Sequence, residues 1–204
     1  FIVPQSTLRV PPSALSDQAF DLTAAIANAQ PGDVIEVPAG TYAGPIVIGK
    51  ALTLNGHDRP IITGDKTGTV VTIQAAAVTF SGFVVENSGI EPDQNHSAIF
   101  ANNSPRVTLR DNEIRDSLFG IYLASSPDSI VQHNIIHGNT QLDIGRRGDG
   151  IRLWESGRTL VADNQVSGAR DVVLWYSEDL IIRGNTMRGG RYGIHFMYCN
   201  NADI

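Results

Sequence analysis

Cysteine, lysine and long apolar runs are scarce in this sequence, and each shortage excludes a class of protein. The single cysteine, Cys199, excludes an intrachain disulfide and a zinc or iron–sulfur site built from several cysteines. No run approaches the ~18 consecutive apolar residues that a membrane-spanning helix requires, so no direct membrane span is expected. The formal net charge of -6 argues against nucleic acid as the main partner.

Most basic residues of the chain are arginines and very few are lysines. After position 105 all of them are arginine, eleven in number. A guanidinium group is planar and suits pairing with carboxylates and stacking on aromatic rings, so this choice favours contact with another protein. The 204 residues, 42% of them hydrophobic, are enough for one elongated domain.

Three apolar segments near the end of the chain repeat at a nearly constant spacing. They read G-D-G-I-R-L-W, R-D-V-V-L-W-Y-S and R-Y-G-I-H-F-M-Y-C, and superposing them aligns Leu153, Leu174 and Phe196 with steps of 21 and 22 residues. A period of this size, with one short apolar strand in each copy, predicts stacked coils rather than a globular core.

Asparagines repeat at the same pace between these strands. The steps are 22, 30 and 21 residues between Asn112, Asn134, Asn164 and Asn185. Asparagine tolerates tight turns and bonds local backbone, so we expect these side chains to point inward and to bond one another along the stack. The two coils that exceed the basic period must bulge as loops, at 86–97 and 137–148.

The sequence divides into an N-terminal part, residues 1–50, and the coils, residues 51–204, in a single domain. Ser16 or Asp17 can cap a helix that runs to about residue 29, and the first strands follow it. One face of this helix is apolar, so we expect it to cover the open end of the first coil. The last residues match the strand at 180–182, which indicates a solenoid that is C-terminally incomplete in this sequence.

Alternation along the strands sorts the remaining residues into interior and outward rows. One outward row is Arg152, Val173 and His195. The next outward row is Trp154, Trp175 and Met197. An apolar stripe that faces solvent is typical of a contact surface. The alternative is that another segment of the same chain, such as the loop at 137–148, covers it.

Soft metal donors occupy alternate positions in the last repeat. His195, Met197 and Cys199 share one face if the strand continues straight, and imidazole, thioether and thiolate together suit Cu(I). The alternative is a surface histidine, a methionine of the stripe and a free thiol near a turn. His133 and His137 straddle a turn and are interpreted as surface histidines.

Two sequence patterns resemble known families. The segment G-D-x-I-x-V-P-x-G-x-Y at 32–42, after a helix, resembles the start of many right-handed parallel β-helix proteins, pectate-lyase-like enzymes included. The three arginine-led repeats at 147–198 are more specific and resemble the NosD family of accessory proteins. Cys199 departs from the small residue expected at its position, so metal ligation by Cys199 is not implied by the resemblance.

The resemblance to the NosD family implies a fold, a location and a set of partners. It implies a right-handed parallel β-helix in the periplasm that docks on the subunits of an ABC transporter. The complex takes part in maturation of the copper site of nitrous oxide reductase, so the reductase and a copper chaperone are further expected partners.

The main alternative is a polysaccharide-active β-helix enzyme, a lyase or epimerase of uronate polymers. Such chemistry requires a converging acid and base, and the candidates are Asp149, Arg170, Asp171, Arg191 and His195. No outward row repeats carboxylates, however, and mixed arginine and aspartate is better explained as paired charge around an interface. A passive structural solenoid, a third class, would not need the apolar stripe.

We therefore predict an all-β, non-catalytic assembly factor with no confidently bound cofactor and copper as the metal to test. The predicted docking surface consists of Arg152, Trp154, Arg170, Asp171, Trp175, Tyr176, Arg191, His195, Met197 and Tyr198.

Overall fold

The computed structural model describes residues 20–204, which form one α-helix and twenty-one short strands numbered along the chain. The helix, α1, spans Leu22–Asn28, and a short 3-10 helix spans Pro92–Gln94. The strands form three sheets of seven, and each turn of the chain adds one strand to each sheet. The described residues therefore build seven stacked coils.

Sheet 1 contains the first strand of each coil. Its strands, all paired in parallel, are β1 (Val34–Val37), β4 (Thr53–Gly56), β7 (Thr79–Ser81), β10 (Thr108–Arg110), β13 (Ile130–Gln132), β16 (Leu160–Ala162) and β19 (Ile181–Arg183).

Sheet 2 contains the second strand of each coil. Its strands, also parallel, are β2 (Thr41–Ala43), β5 (Ile61–Thr63), β8 (Val84–Glu86), β11 (Glu113–Ser117), β14 (Ile135–Gly138), β17 (Gln165–Ser167) and β20 (Thr186–Arg188).

Sheet 3 contains the last strand of each coil. Its parallel strands are β3 (Ile46–Ile48), β6 (Val71–Ile73), β9 (Ser97–Asn102), β12 (Phe119–Ala124), β15 (Ile151–Trp154), β18 (Val172–Trp175) and β21 (Ile194–Met197). The sequence pattern identified most strands of sheets 1 and 3, but it missed β6, β13 and the strands of sheet 2.

The N-terminal helix packs on the first coil, as the apolar face predicted. Leu22 and Ile26 are buried in the common core. The helix begins at Leu22, and the carboxylate of Asp21 accepts a hydrogen bond from the amide of Ala24 at 2.9 Å. The predicted caps, Ser16 and Asp17, lie outside the described residues. At the other end, the ammonium group of Lys50 donates to three carbonyls, those of residues 26, 27 and 29, which places a cation where the helix dipole is negative.

The interior of the coils is a continuous stack of aliphatic and aromatic side chains. The predicted row is present: Leu153 is aligned with Leu174, and Leu174 with Phe196. Both leucines are fully buried, and Phe196 packs partly buried against the same core. None of the helices in residues 20–204 has the length and apolar character needed to cross a membrane.

The predicted asparagine ladder joins sheet 1 to sheet 2. Each Nδ2 group donates to the Oδ1 atom of the next asparagine, at 3.1 Å from Asn112 to Asn134, 3.0 Å from Asn134 to Asn164 and 2.9 Å from Asn164 to Asn185. The first three are fully buried. The ladder satisfies turn groups that would otherwise be buried without partners.

A second ladder of serines lines the corner after sheet 3. Its members are Ser104, Ser126, Ser156 and Ser177, all fully buried. The backbone amide of each of the first three donates to the hydroxyl of the next, at 3.0 Å in every step. Their spacing, 22, 30 and 21 residues, equals that of the asparagines, so the sequence carried a signal for this ladder that the analysis above did not use.

Candidate functional site

The candidate site lies on the outer face of sheet 3, in its last coils. The register of the two predicted outward rows is confirmed, because Arg152 is aligned with Val173 and then His195, while Trp154 is aligned with Trp175 and then Met197. Val173 itself is buried and adds nothing to the exposed surface. Parallel pairing holds these side chains on successive strands, which lie ~4.8 Å apart. The repeat in the sequence therefore becomes a continuous row of side chains on one face.

Four aromatic rings form what we call the aromatic patch: Trp154, Trp175, Tyr176 and Tyr198. The centroid of the Trp154 ring lies 5.3 Å from that of Trp175 and 5.1 Å from that of Tyr176, both edge to face. The rings of Tyr176 and Tyr198 stack 4.9 Å apart and within 4° of parallel. Both tyrosines have left-handed backbone at the corner of a coil, with φ of 47° and 53°, which gives the two rings equivalent positions in successive coils.

The guanidinium group of Arg152 lies among three rings, which we call the arginine cage. It is 5.1 Å from the ring centroid of Phe119, 4.9 Å from that of Tyr122 and 4.8 Å from that of Trp175. Arginine over aromatic faces is a favourable electrostatic contact. Phe119 and Tyr122 belong to the preceding coil and were not among the predicted site residues. The alternation pattern marks Tyr122 as outward, because it is aligned with Arg152.

The patch and the cage are one surface, since Trp175 belongs to both. Tyr198 is 72% exposed and Tyr176 48% exposed, whereas the two tryptophans are half-buried. The Nε1 atom of Trp175 and the Nε atom of Arg152 are buried, and neither has a hydrogen-bond partner among residues 20–204. Aromatic rings together with an arginine resemble the composition of protein interfaces.

Two arginine–aspartate pairs lie beside the cage and join successive coils. Arg170 donates to both carboxylate oxygens of Asp149, at 3.0 and 3.1 Å. Arg191 donates to Asp171 at 3.0 Å, and the amide of Tyr192 donates to the other oxygen of Asp171 at 2.7 Å. Burial raises the pKa of Asp149, and the positive charge of Arg170 opposes this effect.

Asp171 does not lie on the docking surface, where the sequence analysis placed it. Its side chain is 0% exposed, so it reaches no partner directly and instead holds Arg191 against the preceding coil. Arg191 and Tyr192 are exposed, and the guanidinium carbon of Arg191 lies 4.4 Å from the Tyr192 ring centroid. The arginines of these pairs therefore contribute to the surface, whereas the aspartates are internal.

The three soft donors of the last repeat do not share a face. His195 and Met197 point outward on β21, but the left-handed turn at Tyr198 redirects the chain. The Cys199 thiol consequently points toward the Leu174 carbonyl, at 3.1 Å, and packs against the core. Cys199 thus occupies the next position of the serine ladder, and the expected face of three ligands is not formed.

The two histidines that straddle a turn, His133 and His137, lie on the surface, as expected. His133 is about half exposed, with its ring nitrogens 3.6 Å from Asp111 and from Asp163. His137 is also about half exposed. Throughout residues 20–204, no group of three or more His, Cys, Asp or Glu side chains is arranged to hold a metal ion.

Comparison with known proteins agrees with this architecture. The family described as "Right handed beta helix region" matches residues 68–204. Two curated relatives are both named "Probable ABC transporter binding protein NosD". The relative from Pseudomonas aeruginosa is 31% identical over 134 residues, or 65% of this chain, and the one from Stutzerimonas stutzeri is 28% identical over 136 residues, or 66% of this chain. The matched region spans 31% of each relative, so the chain corresponds to about a third of their length.

A solved structure shares the fold at low sequence identity. A rhamnogalacturonan lyase aligns over 91% of this chain and 58% of its own, with a TM-score of 0.63 and 15% identity. At this identity the likeness concerns the fold alone. Three seven-stranded parallel sheets, the interior ladders and the family match lead to one assignment: the chain belongs to the right-handed β-helix family and is NosD-like within it.

Proposed function

We propose that this chain is a docking module that binds an ABC transporter through the aromatic patch and the arginine cage. The observation that carries the proposal is the contiguity of these two clusters, which place four exposed or half-buried aromatic rings and Arg152 on sheet 3 and the corner that follows it. The name that the two relatives share, an ABC transporter binding protein, supports the choice of partner.

The physical basis of docking is the preorganisation of the surface. Hydrogen-bonded strands hold Trp154 and Trp175 in neighbouring positions, so little conformational freedom is lost when a partner covers them. Tryptophan, tyrosine and arginine are the residues that most often dominate binding energy, at ~2 kcal/mol or more each. The patch is therefore suited to binding.

The finer proposal follows from the resemblance to the NosD family. We propose that docking occurs in the periplasm and serves maturation of the copper site of nitrous oxide reductase, with the reductase and a copper chaperone as further partners. The geometry of His195, Met197 and Cys199 supports no three-ligand copper site in this chain. We therefore propose that copper is cargo of the assembled complex and is not held by these three residues.

Replacing both tryptophans of the patch tests docking. Trp154→Ala with Trp175→Ala should leave folding nearly intact, because both side chains are only half-buried. The double variant should weaken binding to the purified transporter, measured by calorimetry. Ile181→Ala is a matched control, because Ile181 is an exposed apolar residue (44%) on sheet 1. Wild-type affinity in the double variant would refute docking through the patch.

A separate measurement addresses copper. The protein is titrated into a complex of Cu(I) with a chromophoric chelator, and we expect no competition by a three-ligand site. Met197→Leu retains the apolar side chain and removes the thioether, so it should leave transporter binding unchanged. Competition by the wild type that Met197→Leu abolishes would show that the thioether binds Cu(I) and that the chain carries copper itself.

A uronate-polymer enzyme is the alternative, and the buried aspartates do not favour it. The carboxylates of Asp149 and Asp171 are 1% and 0% exposed, and each is bound by an arginine of the next coil. A uronate polymer bound on this face could not contact these two carboxylates unless the coils separated. Incubation with alginate or pectin should release no unsaturated oligosaccharides; release that Asp171→Asn abolishes would establish the enzyme instead.

A further inference from the structure

A pocket of about 240 Å³ opens beside the arginine cage, between the two longest loops of the described chain. The loop at 86–97 contributes Ile90, Glu91 and Pro92 to its lining, and the loop at 137–148 contributes Leu142 and residues 145–148. Leu118 and Phe119 complete the apolar part. Phe119 also belongs to the arginine cage, so the pocket and the proposed docking surface are continuous.

Three guanidinium groups line this pocket, and they are not fully neutralised. Arg170 is paired with Asp149. Arg147 donates to backbone carbonyls, including that of Leu142 at 2.8 Å, and holds the loop closed. Neither Arg146 nor Arg147 forms a carboxylate ion pair within residues 20–204.

The net charge of the pocket is opposite in sign to that of the chain. The lining contains three arginines and one carboxylate, that of Glu91, and a second carboxylate, that of Asp149, lies beneath it. The sum is one excess positive charge. The whole chain carries a net charge of -6. A local excess of positive charge on an acidic protein attracts a negative group of a partner and helps to orient it.

The size and the lining of the pocket limit what it can hold. Pockets for small molecules commonly measure ~300–1,000 Å³, so this one is closer in size to one or two amino-acid side chains. Its apolar walls favour an anion that carries a short apolar stem. A glutamate side chain has both features, and arginine binds carboxylates with two parallel hydrogen bonds.

We infer that the pocket anchors an acidic residue of the docking partner. The partner segment would place a carboxylate against Arg146 and Arg170, and its apolar neighbours would continue past Arg152 onto the aromatic patch. This assignment of the partner rests on the proposed docking function. The chemistry of the pocket, a carboxylate on an apolar stem, can be tested without the transporter.

The test is a titration followed by nuclear magnetic resonance. The probe is the blocked tripeptide acetyl-Leu-Glu-Leu-amide, and its control is the same peptide with glutamine in place of glutamate. We expect saturable shifts of the amide signals of Gly145 and Gly148 with the glutamate peptide and much weaker shifts with the glutamine peptide. Arg146→Gln should reduce the affinity several-fold, because it removes one positive charge from the lining. Arg146 is exposed, so the substitution should leave the fold intact.

Arg183→Gln is the matched control, because Arg183 is an exposed arginine on sheet 1. It should bind the glutamate peptide like the wild type. Equal shifts with both peptides, or an unchanged affinity in Arg146→Gln, would overturn the inference. Shifts of the same signals by sodium sulfate alone would reduce the site to a general anion site, and tighter binding of digalacturonate would assign the pocket to acidic sugars; either result also overturns it.

The two proposals fail separately. If Trp154→Ala with Trp175→Ala loses transporter binding and the glutamate peptide does not bind, docking stands and the acidic anchor is wrong. If the peptide binds as expected and the wild type does not bind the transporter, the pocket chemistry stands and the identity of the partner is wrong.

Discussion

Removing one rung of the asparagine ladder should destabilise the whole solenoid. The Oδ1 atom of Asn164 accepts two hydrogen bonds from Asn134, one from its backbone amide and one from its Nδ2 group, both at 3.0 Å. The Nδ2 group of Asn164 donates to the carbonyl of Val131 and to Asn185, both at 2.9 Å. Asn164 is fully buried, so water does not replace these bonds in the native coil.

The cost of Asn164→Ala can be worked out from these contacts. Alanine leaves the amide and one Nδ2 hydrogen of Asn134 without acceptors, and a buried unsatisfied group costs ~1–3 kcal/mol. Two such groups give ~2–6 kcal/mol, and entry of water into the vacated space offsets part of this, so we expect about 3 kcal/mol.

Urea unfolding followed by circular dichroism measures this loss, provided that the slope of the transition is unchanged. Gln165→Ala is the control, because Gln165 is the exposed neighbour of Asn164 in the same coil. Hydrogen exchange adds a local readout, since the Asn134 amide should lose protection directly. A free energy of unfolding within about 1 kcal/mol of that of Gln165→Ala would refute the argument that the ladder is needed to satisfy the turns.

Three further predictions concern the interior of the last coils. Leu174→Ala should lower the free energy of unfolding by ~2–5 kcal/mol, because it removes a fully buried side chain from the central row, and urea unfolding measures it. Cys199→Ser should change stability by less than about 1 kcal/mol, because the hydroxyl takes the serine-ladder position and can donate to the Leu174 carbonyl; a larger loss would show that the thiol is needed there. Burial raises the pKa of Asp149, so the folded state holds its proton to higher pH than the unfolded state does, and stability should fall as pH rises from the usual carboxyl pKa through the raised folded pKa. Asp149→Asn should remove that part of the pH dependence in unfolding curves taken across the acid range, and an unchanged pH profile would contradict this.

The β-helix was predictable because the residues that define each coil lie close together in the sequence and repeat from coil to coil. The later coils place an apolar residue, a turn asparagine and an outward residue at positions that recur after 21–22 residues, or after 30 where a loop is inserted. Spacing alone therefore identified the Leu153–Leu174 row and the asparagine ladder. The outward stripe followed from the alternation of side chains along a strand. The strands of sheet 2 were missed because strands such as Gln165–Ser167 begin directly after the turn asparagine, and no repeated sequence motif marks them.

The arginine cage and the loop pocket depended on neighbours that come from different coils. Phe119 reaches Arg152 from the preceding coil, and the pocket requires two loops that are about fifty residues apart in the chain. Loop conformation has no period, so spacing carries no information on where Arg146 and Arg147 lie.

Cys199 illustrates the difference between what the sequence determines and what only the tertiary structure decides. The sequence by itself determined a parallel solenoid, the order of its interior rows and the outward direction of Trp154 and Trp175, because these depend on short-range alternation repeated from coil to coil. The tertiary structure decided that Cys199 points inward, because the left-handed turn at Tyr198 breaks the alternation after Met197. It also decided which charges are internal, since the burial of Asp171 depends on the stacking of a neighbouring coil against it.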